Sequence, residues 1–255
     1  MRILITNDDG ILAPGIEALY RAVSDLGEVT VVAPETPQSA SGHAITVRSP
    51  MDVHRVHVNN VFYGWSVDGR PADCVKLALM ELLDERPDFV LSGINAGANT
   101  GIDVLYSGTV AGAIEGAFYD IPAAAFSLAS SDELNFPMAG RIARAVFERF
   151  MAAKPRPATC LNVNIPALDQ GWPKGVRCCP QGTVAMEERY AKQTAAEGHT
   201  IYWLDGRSSA ASVAPNSDQA VVREGYVAIT PLRFNMTDPE ELARLSEWTW
   251  PASFA

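Results

Sequence analysis

Four short polar segments hold residue types that can do chemistry. Asn7-Asp8-Asp9-Gly10 sets two carboxylates side by side in a tight turn. Adjacent carboxylates repel, and a divalent cation offsets that repulsion. Two carboxylates with an amide carbonyl and a hydroxyl form an all-oxygen donor set suited to a hard ion such as Mg²⁺, Mn²⁺ or Ca²⁺. Plain turn and helix-cap duty is the alternative, since Asp-Gly turns use aspartate routinely. The second segment is Gln38-Ser39-Ala40-Ser41-Gly42-His43, and the third is the glycine–asparagine run from Ser92 to Gly101. The fourth, Tyr106-Ser107-Gly108-Thr109-Val110, opens a helix. Free N–H groups and the positive dipole end make a helix start an anion site, and Gly108 lets a phosphate approach the backbone. Ser107 and Thr109 offer hydroxyl donors there; an ordinary Ser/Thr N-cap is the plain alternative. No G-K-[ST] follows, so this is not a P-loop.

Other chemistry is less well supported. His54 and His57 are three residues apart and would face opposite sides of a strand, which makes a poor metal pair. His43 lies either beside the site or, the favoured reading, is solvated or hydrogen-bonded for structure. There is no G-x-S-x-G elbow for a serine nucleophile. Cys74, Cys160, Cys178 and Cys179 have no C-x-x-C spacing and are expected to be reduced and mostly buried.

The elements that must position these segments alternate. Short apolar runs at 3–6, 29–33, 89–92, 122–128 and 160–165 read as buried strands. Helical spacing is expected over 16–26, with Gly27 as C-cap, and over 71–85, 108–119 and 138–152. Alternating strands and helices imply βαβ units: an α/β, Rossmann-like, doubly wound and mostly parallel sheet. Three of the four polar segments then fall after strands, at the carboxyl ends where ligands bind in such sheets. Beyond Pro166 the periodicity fades. Strands at 176–179 and 200–204 are expected within an excursion, another strand at 225–232, and a terminal helix at 239–248. One domain suffices: a core over about 1–166 and 221–236, an arm over about 167–220 and a tail over about 237–255.

Composition bounds the function. The chain has 255 residues, 47% hydrophobic and 20% charged, with Lys+Arg 20 against Asp+Glu 30 and a net charge of −10. Binding to a nucleic acid polymer depends on basic patches and counterion release, which such a balance disfavours. No run reaches the roughly 18 apolar residues of a membrane span. The amino terminus meets Asn7-Asp8-Asp9 too early for a signal peptide, so a cytoplasmic setting without membrane association is expected.

The motifs also carry a resemblance. Ile5-Thr6-Asn7-Asp8-Asp9-Gly10, the Ser39-centred loop, Asp73-Cys74-Val75-Lys76, the Ser92–Gly101 run, and Tyr106-Ser107-Gly108-Thr109-Val110 with Glu115-Gly116 are similar to the survival protein SurE family of 5′/3′-nucleotidases. Asn162-Val163-Asn164-Ile165-Pro166 and Gly225-Tyr226-Val227-Ala228-Ile229-Thr230-Pro231-Leu232 also resemble that family, so the likeness runs nearly the whole chain. It implies metal-dependent release of phosphate from nucleoside 5′- and 3′-monophosphates, with short polyphosphate as a further substrate in some members. By motif match the metal ligands would be Asp8, Asp9, Ser39 and Asn95. Asn99, Ser107, Gly108 and Thr109 would surround the phosphate. In such a mechanism Asp8 or Asp9 is the expected catalytic group that orients the attacking water, and no general acid is assigned. It further implies a β-hairpin arm and exchange of the C-terminal segment in a homodimer or homotetramer. Gly112 and Asn216-Ser217-Asp218 depart mildly from the family pattern, outside the metal set. A non-catalytic nucleotide- or metal-sensing module is the alternative, and an assembly protein built around arm and tail a third reading.

Overall fold

The structure is a computed structural model that describes residues 1–169, 171–183, 187–195, 198–207 and 213–251. Parts of the expected arm and the last four residues of the expected tail lie outside the described residues. A nine-stranded sheet organises the molecule. Its strands are β1 (Arg2–Thr6), β2 (Glu28–Pro34), β3 (Val53–Val58), β4 (Phe62–Val67), β5 (Phe89–Ala96), β6 (Ala123–Leu128), β7 (Cys160–Ile165), β8 (Val176–Cys178) and β11 (Val227–Leu232). A separate two-stranded hairpin pairs β9 (Glu187–Thr194) with β10 (Thr200–Arg207). The helices are α1 (Pro14–Val23), α2 (Pro71–Leu77), α3 (Gly108–Phe118), α4 (Phe136–Ala152), α5 (Asp218–Arg223) and α6 (Pro239–Ser246).

The sheet order is β3-β4-β2-β1-β5-β6-β7-β11-β8. The run from β4 through β7 is parallel; β3 against β4 and β11 against β7 are antiparallel. The chain winds outward from β1 through β2, then returns to lay β5 on the other side of β1. The β1–β5 boundary is therefore the topological switch point, where adjacent loops diverge and leave a crevice at the strand ends.

Alternation along the strands builds a core on each face. Ile3, Ile5, Leu91 and Phe126 join Ile16 and Leu19 of α1 and Ala143 and Phe147 of α4. Leu4, Val90 and Ala125 face the other way, against Val75 of α2 and Val110, Ala113 and Ala117 of α3. This period of two is what a sheet covered on both sides requires.

The structure corrects several expected elements. The 71–85 helix is α-helical only to Leu77 and continues as a π-helical turn, Ala78–Leu82, closed by Leu83 N–H donating to Ala78 O at 3.0 Å. The β3–β4 hairpin was not expected. β3 is an edge strand with His54, Arg55 and His57 exposed, so it has no apolar run. The stretch expected as an arm divides: β8 belongs to the main sheet, α5 packs against β11, and the β9–β10 hairpin forms its own two-stranded sheet. No helix among the described residues is long and apolar enough to cross a membrane.

Candidate functional site

β1 delivers Asp8 and Asp9 to the switch point. The strand ends in buried Thr6 and Asn7, whose Nδ2 donates to Gly10 O at 2.8 Å and closes the turn. Asp8 is only 6% exposed, and the Thr109 hydroxyl donates to its Oδ1. Burial pushes the Asp8 carboxyl up to about 6; the Thr109 hydrogen bond opposes that rise, and the neighbouring Asp9 charge adds to it. Burial also raises Asp9, against a hydrogen bond from Ala96 N–H to its Oδ2 at 3.1 Å. That bond ties the aspartate turn to the end of β5, beside Asn95. Asn95 Nδ2 donates to Gly97 O at 2.8 Å, which leaves its carbonyl oxygen as the atom able to ligate a cation. At the bend in β5, Gly93 has φ +128°, and a Cβ there would lie 2.3 Å from Phe126 O. The β5–β6 register slips between Ser92 and Asn95, so the Asn95 region is aimed by an irregularity that only glycine permits.

The Ser39 loop is tied to both neighbours. Gln38 N–H donates to Asp8 O at 2.7 Å, and Gly42 N–H donates to Tyr106 O at 2.9 Å. Ser39 lies between these anchors, exposed, next to Ala40 at φ +56°. The Ser41 hydroxyl is buried beside the start of α3, with no hydrogen-bond partner among the described residues.

Ser107 is the N-cap of α3: its Oγ accepts from Val110 N–H at 3.1 Å. A Cβ on Gly108 would sit 2.7 Å from Asp8 Cβ and 3.0 Å from both Asp8 Oδ2 and Ser41 Oγ. The helix start thus presses on the carboxylate turn. Thr109 is fully buried, and its hydroxyl proton goes to Asp8. The sequence expectation had that hydroxyl donating to a phosphate.

Asn99 is held by two asparagines of β7 that sequence reasoning gave no role. Its N–H donates to Asn164 Oδ1 at 2.8 Å, its O accepts from Asn162 Nδ2 at 2.8 Å and Asn164 Nδ2 at 3.0 Å, and its own Nδ2 donates to Ser127 Oγ at 2.8 Å. Asn-x-Asn in an otherwise apolar strand puts both amides on one face, which was the available signal. Asp218, fully buried, accepts from Gly101 N–H and Gly182 N–H, both at 2.9 Å, and so ties the same segment to α5. A cavity of about 670 Å³ elsewhere, lined by Arg2, Arg55, Trp65 and Glu85, lies at the opposite end of β1. Within it Arg2 pairs with Glu85, and Arg55 lies over the Trp65 ring.

These residues fit a hard divalent cation. Among the described residues neither Asp8, which is buried, nor Asp9, which is half-buried, has an ion-pair partner. Two adjacent like charges, one buried and one half-buried, are unfavourable without a counter-ion, and an oxygen-seeking cation removes that penalty. The arrangement defines an α/β protein with a carboxylate pair packed against a helix start at the switch point of a doubly wound sheet.

Comparison with known proteins agrees. The profile of the family described as Survival protein SurE matches residues 3–188, and the chain belongs to that family. It is 41% identical over 249 residues to the 5'-nucleotidase SurE of Heliobacterium modesticaldum, covering 97% of this chain and 92% of that one. It is 45% identical over 247 residues to the 5'-nucleotidase SurE of Nitratidesulfovibrio vulgaris strain DP4, covering 96% and 98%. The crystal structure of the SurE protein from Aquifex aeolicus superimposes with a TM-score of 0.82 at 36% identity, covering 97% of this chain and 100% of that one.

Proposed function

We propose that this protein is a metal-dependent phosphomonoesterase that hydrolyses nucleoside 5′- and 3′-monophosphates to nucleoside and phosphate, with short polyphosphate as a further substrate. One observation carries the reading: the Asp8–Asp9 pair, with no ion-pair partner among the described residues and with Asp8 buried against the start of α3 at the switch point. The relatives' names as 5'-nucleotidases support the substrate class. In this reading Asp8, Asp9, Ser39 and Asn95 hold one divalent ion, Mg²⁺ or Mn²⁺, with Ca²⁺ as an occupant in crystals. The bound ion supplies a Lewis acid for a phosphate oxygen and lowers the pKa of a ligating water. Thr109 holds Asp8 in place. The N–H groups at the α3 start, with Ser107, Gly108 and Asn99 around them, meet the equatorial phosphate oxygens, where most of the electrostatic stabilisation of phosphoryl transfer is needed. Asp8 or Asp9 orients the attacking water.

The proposal extends to assembly. The chain is read as one α/β domain with the β9–β10 hairpin as arm and the residues after 236 as tail. The arm exposes Tyr190, Tyr202, Trp203 and Leu204, and α6 buries none of its residues while Trp248 and Trp250 remain exposed. Such surfaces favour a homodimer or homotetramer in which arm and tail cover a neighbour. The free cysteines support a cytoplasmic setting. Phosphate release measured across a panel of 5′- and 3′-nucleotides with added Mg²⁺ or Mn²⁺ tests the substrate class. Turnover of several nucleotides is expected; ligand-dependent stabilisation without turnover of any would replace the enzyme by a sensor.

A further inference from the structure

Glu115 is a buried acid that the proposed chemistry does not use. It sits on α3 with its side chain 3% exposed, seven residues after Gly108. Seven residues make about two turns, so Glu115 and Gly108 share a face roughly 10 Å apart. The Ser39 loop runs along that face, with Ser41 beside Gly108 and His43 beside Glu115. His43 Nε2 lies 2.7 Å from Glu115 Oε2, and its ring stacks on Phe118 at 4.9 Å between centroids, 6° from parallel. Lys76 of α2 brings its Nζ to 2.9 Å from the other carboxylate oxygen, as an ion pair rather than an aligned hydrogen bond. Burial alone would raise the Glu115 carboxyl; His43 and Lys76 outweigh it and hold the carboxyl below its ordinary value.

The loop has no helix or strand of its own between β2 and β3, so discrete ties set its path. Two are the backbone bonds Gln38–Asp8 and Gly42–Tyr106. A third lies further on: Thr46 N–H and Oγ1 donate to the two carboxylate oxygens of Asp73, each at 2.8 Å. The His43–Glu115 contact is the side-chain tie nearest Ser39. Both its partners are stiffened, His43 by the stack on Phe118 and Glu115 by burial on a core helix.

We propose that His43, held by Glu115, is a positioning residue that fixes the Ser39 loop against α3 and thereby sets divalent-cation affinity at Asp8, Asp9, Ser39 and Asn95. This rests on the metal-site reading above. His43 Nε2 is committed to Glu115, so its part is to hold Ser39 rather than to transfer a proton. Supporting groups behind metal ligands typically change affinity by about 10–100-fold when removed.

The test is calorimetric titration of Mn²⁺ into the full-length protein without substrate, alongside thermal melting in chelator. His43→Ala should bind Mn²⁺ about tenfold more weakly than wild type while melting close to it. His43→Gln, which can still hydrogen-bond Glu115, should recover most of that affinity. It also carries the test if the alanine variant does not fold. Glu115→Gln combined with His43→Ala should bind no more weakly than the weaker single variant, because the two act through one contact. Ser39→Ala separates the two readings. If it weakens Mn²⁺ binding while His43→Ala does not, or if His43→Ala lowers melting without touching affinity, the positioning role is overturned and the metal site stands. If Ser39→Ala binds Mn²⁺ like wild type, Ser39 leaves the ligand set and this inference falls with it.

Discussion

Replacing Asp8 by asparagine should stabilise the metal-free protein while abolishing its response to metal. The Asp8 carboxyl is raised from 3.8 to about 6, chiefly by burial, with Asp9 adding and Thr109 opposing. About two pKa units correspond to roughly 3 kcal/mol, at about 1.4 kcal/mol each. The sign follows from which state binds the proton more tightly. The folded protein keeps the Asp8 proton up to about pH 6, whereas the unfolded chain releases it near pH 4. Metal-free stability therefore falls by up to ~3 kcal/mol as pH rises from about 4 to 6 and levels off above. Asparagine keeps the shape and an oxygen for the Thr109 hydroxyl but cannot ionise. In chelator at about pH 7.5 the Asp8→Asn protein should melt higher by up to ~3 kcal/mol, roughly 6–12 °C for a chain of this size. The advantage should vanish near pH 4. Adding Mn²⁺ should reverse the order: a free concentration about 1,000-fold above Kd stabilises wild type by ~4.1 kcal/mol, and the variant gains nothing. Scanning calorimetry at both pH values, with and without Mn²⁺, reads all of this. An Asp8→Asn protein that melts below wild type in chelator at pH 7.5 would refute the claim that an uncompensated buried charge sits there.

Three further outcomes are expected. Thr109→Val removes the hydroxyl that holds Asp8 and should cost about 1–3 kcal/mol of stability together with weaker Mn²⁺ binding by calorimetry; unchanged Mn²⁺ affinity would return Thr109 to plain core packing. Gly108→Ala places a methyl 2.7 Å from Asp8 Cβ and 3.0 Å from Ser41 Oγ, so phosphate release should fall at least about tenfold with circular dichroism unchanged; full turnover would mean the helix start does not border the reacting phosphate. Truncation after Pro239 should lower the assembled mass in light scattering while keeping part of the metal-dependent turnover; a full-length protein that is monomeric at micromolar concentration contradicts the assembly reading.

The sequence revealed most where one physical signal dominated. Buried strands such as 3–6 and 89–92 are short, mainly apolar runs, α4 announces itself by a period near four, and α3 by an apolar, glycine-containing stretch of helical length. Placing Asp8–Asp9 after β1 needed only that periodicity and the rule for strand ends. The β3–β4 hairpin was illegible because its outer strand is polar, although the Asn59–Asn60 pair, both at positive φ, was a turn signal that could have been read. The partner of the Thr109 hydroxyl could not be foreseen, since Asp8 lies 101 positions away and an N-terminal helix hydroxyl suits a phosphate equally well. The same holds for His43: its carboxylate is 72 residues distant, and a lone histidine in a loop has no periodicity to place it. Asn162 and Asn164 were visible as an Asn-x-Asn pattern, but their work on Asn99 is a contact between loop and strand that only the folded sheet brings about.

The central claim is that Asp8 and Asp9 hold a divalent ion that the chemistry requires. The most direct measurement is release of inorganic phosphate from a nucleoside 5′-monophosphate by wild type, Asp8→Asn and Asp9→Asn, each with Mn²⁺, after chelation, and after Mn²⁺ is restored. Wild-type turnover should stop on chelation and return with the metal. Each variant should retain less than about one-hundredth of it at any Mn²⁺ concentration, as loss of a key electrostatic group requires. Wild-type turnover that persists through chelation, or either variant working near the wild-type rate with the same Mn²⁺ dependence, would contradict the account.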